Sequence, residues 1–253
     1  GMAAVSATLL QLCSAGDEIV SSRTVYGGTY ALLANFLPRL GITTRFVNLA
    51  DESALRAALT PKTRVVYCES VSNPLLEVAD IPALASVAKS HGALLVVDNT
   101  FSPLILSPLR HGADVVIHSM TKFINGTSDC VAGCVVSTND IVARLNDVNR
   151  GASMLLGPVL DSIRAASILK NLHGLHIRMA RHSANAMVWA TRFEEAGLTV
   201  HYPGLPRHPQ HGLMSRLMND GFGFGGIVTV DVGDRATADL LMLRMQEARV
   251  GYL

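Results

Sequence analysis

The sequence is short of net charge, of cysteine, of aromatic residues and of long hydrophobic runs, and each shortage removes a class of function. Lys and Arg number 21 against 20 Asp and Glu, a formal balance of +1. No polyelectrolyte partner is advertised, and nucleic acid is not an expected ligand. Only 4 cysteines occur, Cys13, Cys68, Cys130 and Cys134, scattered through apolar or strand-like contexts. They have neither the C-x-x-C pairing of a zinc site nor the pattern of a secreted disulfide framework, and read as free buried thiols of a reducing cytosol. No apolar run reaches the length of a membrane span, and no basic region with a cleavage site opens the chain. A soluble, cytoplasmic protein without a membrane partner is the expectation.

What is present is apolar content and a repeating pattern. At 253 residues, 49% of them hydrophobic, the chain can bury a sizeable core in one large domain or in one plus a smaller partner. Up to about Asn149, short β-branched runs alternate with helix-period stretches, which predicts βα units over a mainly parallel sheet. The expected strands are Glu18–Ser21, Thr43–Val47, Val65–Cys68, Leu94–Val97, Val115–His118 and Val131–Val136. The expected helices are Met2–Cys13, Gly28–Leu37, Glu52–Ala58, Ile81–His91 and Ile141–Asn149. Most strands are unbroken apolar runs, as required when helices cover both faces. Val159–Leu172 and Ile177–Ala196 read as long helices, the second a connector. Leu198–Tyr202, the loop Pro203–Gly212, Ile227–Val232 and a helix Ala236–Ala248 begin an α+β unit. The division is therefore a large domain over 1–173 and a connector with an incomplete smaller domain over 174–253. Both ends read as cut: Gly1 runs straight into a helix pattern, and Leu253 closes an apolar stretch with no polar tail.

Two segments carry most of the chemistry. Val96-Val97-Asp98-Asn99-Thr100 and His118-Ser119-Met120-Thr121-Lys122 end neighbouring apolar runs, so their polar tips should emerge at one sheet edge. Together they read as a pyridoxal phosphate site: a lysine to form a Schiff base, an aspartate to pair with the pyridinium nitrogen, and hydroxyls to hold the phosphate. A lone lysine after such a strand is ordinarily a snorkelling surface side chain. Beside Ser119 and Thr121, Lys122 instead reads as a desolvated amine that sheds its proton and condenses with an aldehyde. Asp98 could equally be a turn cap, yet only a carboxylate keeps the pyridine nitrogen protonated.

Weaker signals agree. Gly1-Met2-Ala3-Ala4 at a helix start offers free N–H groups to a phosphate, though alone it says little. Tyr26-Gly27-Gly28-Thr29 places an aromatic ring where it could stack on a planar group, with a surface turn as the plain alternative. Glu69-Ser70-Val71-Ser72-Asn73-Pro74 ends a strand with an amide able to bond a phenolic oxygen; a turn before proline explains it almost as well. Gly221-Phe222-Gly223-Phe224-Gly225-Gly226 matches G-x-G-x-x-G, but it precedes a strand instead of opening a helix, and a dinucleotide site is rejected. His208, Gln210 and His211 have no third ligand at metal spacing, so no metal is expected and they read as surface or domain-contact residues.

With these residues assembled, the chain resembles the Cys/Met-metabolism family of fold-type I pyridoxal phosphate enzymes, which includes cystathionine γ-synthase, cystathionine γ-lyase and methionine γ-lyase. The resemblance runs across nearly the whole chain: Gly1 to Ala4, Tyr26 to Thr29, Glu69 to Pro74, Asp98 to Thr100, Gly112 to Val116, His118 to Lys122, Asp129 to Gly133 and Tyr202 to Leu205. Among branches, Thr8 to Cys13, Ser102 to Pro108, Met154 to Pro158 and His208 to His211 most resemble the methionine γ-lyase group, particularly its plant-like members. The resemblance implies that Lys122 binds the cofactor covalently, Asp98 pairs with the pyridine nitrogen, and Tyr26 stacks on the ring and shuttles a proton. It further implies that Gly1, Met2, Ser119 and Thr121 hold the phosphate and that Asn73 approaches the phenolic oxygen.

It also implies tight dimers or tetramers, with a Tyr and an Arg of the neighbouring chain's N-terminal segment completing the phosphate site. The expected activity is γ-elimination on a sulfur amino acid, methionine first, giving methanethiol, 2-oxobutyrate and ammonia. Two alternatives stand beside it: a cystathionine γ-lyase or γ-replacement synthase, and a truncated fragment that binds cofactor without turnover. Two departures bear on the choice. The family's arginine for the substrate carboxylate lies beyond the stretch expected after Leu253. Where bacterial methionine γ-lyases carry a cysteine, two residues after the stacking tyrosine, this sequence has Gly28, as the cystathionine enzymes do.

Overall fold

A computed structural model describes residues 1–247, so Ala248, the last residue of the predicted Ala236–Ala248 helix, lies outside the described residues. The chain folds as α/β. Helix α1 (Met2–Leu12) is followed by β1 (Glu18–Ser22), α2 (Gly27–Ala31), β2 (Thr43–Val47), α3 (Glu52–Ala58), β3 (Thr63–Glu69), α4 (Ile81–Ser90), β4 (Leu94–Asp98), β5 (Val115–Ser119), β6 (Gly133–Ser137) and α5 (Asn139–Leu145). The strands form one six-stranded sheet in the order β2-β1-β3-β4-β5-β6, parallel except for β6, which runs antiparallel to β5.

The apolar strand runs are buried on both faces, and the period of two sorts their side chains. Val65, Tyr67, Val96, Val115 and Ile117 join the layer under α1 and α5, whereas Val66, Cys68, Leu95, Val97 and Val116 join the layer under α3 and α4. The same parity extends to the strand ends. Glu69 follows Tyr67, Asp98 follows Val96 and Ser119 follows Ile117, so all three terminal polar residues lie on the α1 face. Asp51, Asp80 and Thr138 each accept a hydrogen bond from the first turn of α3, α4 and α5, as expected of N-cap residues. Helix α1 begins at Gly1 with no side-chain cap.

Beyond the sheet come α6 (Ala152–Leu155), α7 (Ser162–Leu172), the long α8 (Leu175–Glu195), β7 (Thr199–His201), α9 (His211–Leu217), β8 (Thr229–Asp231) and α10 (Arg235–Glu247), with β7 and β8 paired antiparallel. A third core cluster joins Val71, Leu76, Ile105 and Leu106 to Ile168, Met179, Met214 and Leu217, so the two halves of the chain share apolar packing.

Several expected boundaries differ, each for a local reason. The helix predicted over Gly28–Leu37 breaks after Ala31 into a π-type turn (Leu32–Phe36) and a 3₁₀ turn (Leu37–Leu40), since Pro38 has no amide hydrogen with which to continue it. Strand β6 starts at Gly133 rather than Val131 because the Ala132 N–H donates to Thr121 Oγ instead of to a strand. Helix α5 begins earlier and ends at Leu145, beyond which the Asp147 carboxylate takes the N–H groups of Asn149 and Arg150 in a turn. The stretch expected to be loop through Gly212 includes the start of α9, a seven-residue helix too short to show a clear period.

Candidate active site

The C-terminal edge of the sheet brings the predicted residues together in two linked chains of contacts. The first runs from the start of α1 to Asp98. A methyl group placed on Gly1 would lie 2.9 Å from Ser119 Oγ, so the first backbone unit of α1 passes directly over that hydroxyl. The Ser119 N–H donates to Thr100 Oγ at 2.8 Å. Thr100 in turn donates twice to Asp98 Oδ1, through its N–H at 2.9 Å and through its hydroxyl at 2.5 Å. Asp98 is thereby held in one orientation. Burial raises its carboxyl above the usual range, against the lowering effect of the bonds from Thr100.

The second chain runs from Met2 to Asn73. A methyl group on Gly28 would meet the Tyr26 ring at 2.6 Å and Met2 Sδ at 3.3 Å, which puts Tyr26, Gly28 and the start of α1 in one cluster. Tyr26 is the N-cap of α2, and the residue is 52% exposed. Its N–H donates to Glu69 Oε1 at 2.7 Å, and the Asn73 N–H donates to Glu69 Oε2 at 3.0 Å. Asn73 precedes Pro74 through a cis peptide bond. Tyr67, wholly buried on β3 under these groups, faces Asp98 and Thr29, and burial pushes its phenol well above its ordinary value.

Thr121 and Lys122 occupy the turn after β5. Thr121 Oγ donates to Ala132 O at 3.2 Å and accepts from Ala132 N–H at 3.0 Å, so this hydroxyl is already engaged by the backbone. The same Ala132 oxygen accepts from Gly1 N, and a methyl on Gly133 would come within 2.6 Å of that nitrogen. Only glycine lets α1 seat on β6 in this way. Lys122 is exposed, and its side chain makes no hydrogen bond or ion pair to the described residues. The burial expected for the Lys122 amine is therefore not found: the turn after β5 leaves the residue exposed. Its backbone is fixed by Lys122 N–H to Ser119 O at 3.3 Å and Gly126 N–H to Lys122 O at 2.8 Å.

Thr100, Glu69 and Gly133 were missed as site residues. Thr100 lies two residues beyond Asp98, and Glu69 ends an apolar strand just as Asp98 does, a signal that parity along β3 could have supplied. Gln210 proves a contact residue as expected: its side chain accepts from Val78 N–H at 2.7 Å and donates to Val78 O at 2.6 Å. Among the described residues no group of three or more His, Cys, Asp or Glu could hold a metal ion.

A bare helix start over a serine hydroxyl, an oriented carboxyl at a strand end, an exposed ring and a lysine unpaired among the described residues are the kinds of group that a pyridoxal phosphate enzyme of the α/β class uses. The chain belongs to the family described as Cys/Met metabolism PLP-dependent enzyme, which it matches over residues 1–248. It is 45% identical over 250 residues to the methionine gamma-lyase of Arabidopsis thaliana, covering 98% of this chain and 57% of that one. It is 43% identical over 235 residues to an O-succinylhomoserine sulfhydrylase of Pseudomonas aeruginosa, covering 92% and 57%. The crystal structure of cystathionine gamma-lyase from Lactobacillus plantarum complexed with L-serine superposes with a TM-score of 0.85 at 34% identity, covering 91% of this chain and 60% of that one. The chain thus spans under two thirds of the length of these relatives. The family's cofactor is pyridoxal phosphate, and the cradle at Gly1 and Ser119 together with the oriented Asp98 carboxyl fits it.

Proposed function

We propose that the enzyme to which this chain belongs carries out γ-elimination on a sulfur amino acid, with L-methionine the expected substrate and methanethiol, 2-oxobutyrate and ammonia the products. The observation that carries the reading is the orientation of Asp98 by Thr100 directly beside Ser119 and the start of α1. When bound, pyridoxal phosphate supplies an aldehyde for covalent capture and an electron sink for the substrate's Cα. The N–H groups opening α1 and the Ser119 hydroxyl would bind the phosphate, and the Thr121 hydroxyl would join them only by turning its proton from Ala132 O to a phosphate oxygen. Asp98 would hold a proton on the pyridine nitrogen, and Asn73 would bond the phenolic oxygen. Lys122, whose side chain is unpaired among the described residues, would carry the cofactor and then take the Cα proton once released. Tyr26 would give a proton to the departing thiol.

A second reading, γ-replacement or cystathionine γ-lyase chemistry, is supported by Gly28 and by the nearly equal identity to a sulfhydrylase. Product analysis of the full-length enzyme separates them. Elimination releases 2-oxobutyrate from methionine with no added thiol, whereas a replacement enzyme turns over only when an acceptor thiol is supplied and then forms a new thioether amino acid instead of 2-oxobutyrate.

The assembly we propose is a homodimer or homotetramer with shared sites. Val159 and Ile163, at and before the start of α7, are 83% and 81% exposed and apolar, beside exposed Leu155 and Leu156, a surface suited to a second copy of the chain. The proposed division remains 1–173 for cofactor binding and 174–253 for the connector and smaller unit.

A further inference from the structure

Glu69 ends β3 inside the site with no cation to answer it. The residue is 8% exposed, and among the described residues no ion pair reaches it. The groups facing it are Asp98 on β4, the phenol of Tyr67 on its own strand, and the two N–H donors of Tyr26 and Asn73, while the thiol of neighbouring Cys68 lies on the opposite face of the sheet. A buried carboxylate beside another carboxyl is an expensive choice unless its hydrogen bonds perform a task. A glutamine of the same shape would turn an N–H toward one of the two N–H donors and lose that bond.

The task follows from what each bond holds. Tyr26 caps α2 without any side-chain hydrogen bond to its first turn, and Gly27 and Gly28 follow it, so little else in the local backbone stiffens the point where the ring departs. Asn73 lies in the loop after β3. That loop is tied to the same segment by a second carboxylate, since Thr24 Oγ donates to Glu77 Oε2 at 2.6 Å. We propose that Glu69 is the positioning residue of the site, a single carboxylate that clamps the Tyr26 and Asn73 segments at a fixed separation on either side of the cofactor ring. The proposal rests on the pyridoxal phosphate reading of these residues. Burial, opposed by the bonds from Tyr26 and Asn73, pushes the Glu69 carboxyl up to about 7, so the clamp also loosens on mild acidification as one oxygen becomes a donor.

Amide hydrogen exchange on the full-length protein, stripped of cofactor, tests the clamp without reference to turnover. In Glu69→Gln the amide of Tyr26 or Asn73 is expected to exchange about tenfold faster, the loss of one charge-assisted bond, while amides within β3 and β4 keep their rates. Lowering the pH from about 8 to 6 should raise the same two rates in the wild type, after correction for intrinsic exchange, and leave the variant without such a step. In the cofactor-loaded enzyme the visible circular dichroism of the bound pyridoxal phosphate should fall in the variant while borohydride still fixes it to Lys122. Glu69→Asp, whose shorter arm reaches one N–H only, serves the same comparison if the glutamine variant does not fold. Unchanged exchange at Tyr26 and Asn73 in a folded variant overturns the clamp and leaves the cofactor reading intact. Absence of any Lys122 adduct in the wild type overturns the cofactor reading, and with it the purpose assigned to the clamp, whatever the exchange rates show.

Discussion

Glu69 and Asp98 are register partners at the C-terminal ends of β3 and β4, two carboxyl groups on one face of the sheet that are turned to different donors. Asp98 takes its bonds from Thr100, whereas Glu69 reaches across to Tyr26 and Asn73. Burial raises both carboxyls, and the Asp98 charge raises Glu69 further.

That pair sets a pH dependence of stability whose sign can be worked out. The Glu69 carboxyl, pushed up to about 7 by burial, keeps a proton in the folded chain that the unfolded chain has already released. Its contribution is fully present below the ordinary glutamate value and is lost as pH rises through about 7. His118 acts oppositely: burial lowers its imidazole to about 4, so its contribution is present above the ordinary histidine value and lost as pH falls through about 4. Across the shared window the two offset each other. Glu69→Gln should therefore expose the His118 dependence, and relative to wild type the variant should fare better at pH 8 than at pH 5 by about 2 kcal/mol. Urea midpoints of the cofactor-free protein at the two pH values measure this; a pH-independent difference between variant and wild type contradicts it.

Lys122→Ala should separate chemistry from folding. The side chain is exposed and unpaired among the described residues, so its removal should shift stability by no more than about 0.5 kcal/mol. Covalent trapping of the cofactor by borohydride, and elimination from methionine in the full-length enzyme, should both disappear. A retained adduct at another lysine would show that the wrong residue has been assigned.

Much of this arrangement was legible in the sequence, and what was not has a physical pattern. The strands β3, β4 and β5 were readable as unbroken apolar runs because both of their faces are covered, and Asp98 and Ser119 were readable as their polar ends. Glu69 escaped because its role depends on two backbone N–H groups, Tyr26 and Asn73, that become neighbours only after β1 and β3 pair. Thr121 is expected from sequence to hold phosphate, whereas its bonds to Ala132 depend on the turn between β5 and β6, which no local pattern announces. The break after Ala31 was missed because the apolar period continues through Leu32, Leu33 and Phe36 while Pro38 redirects the backbone.

Gly133→Ala tests the seating of α1. The added methyl would stand 2.6 Å from Gly1 N and 3.0 Å from Ala4 Cβ, so the start of the helix must shift from its seat on β6. Overpacking of this kind should cost about 2 kcal/mol and weaken pyridoxal phosphate binding about tenfold or more, since the phosphate would lose N–H donors that no longer point at it. Equilibrium dialysis with free pyridoxal phosphate, beside a thermal melt, reads both effects; a destabilised variant with unaltered affinity would place the phosphate elsewhere.

Gly28 is where the balance between elimination and replacement should be adjustable. A methyl group there meets the Tyr26 ring at 2.6 Å and Met2 Sδ at 3.3 Å, contacts with the mobile ends of two side chains, so the ring can yield by rotating outward. The backbone anchor of Tyr26 on Glu69 is untouched by this change, and the fold should keep its stability to within about 1 kcal/mol. What changes is where the phenol stands when the thiol departs. If Tyr26 gives that proton, Gly28→Ala should lower kcat for 2-oxobutyrate release about tenfold or more with a smaller change in KM, because only a step that depends on ring placement has been disturbed. Gly28→Cys should move the ring in the same direction and offer a thiol of its own. Full-length enzyme carrying either change, assayed with methionine alone and then with an added thiol, gives the comparison. Equal rates in all three proteins would remove Tyr26 from the proton transfer and leave it as a stacking surface only.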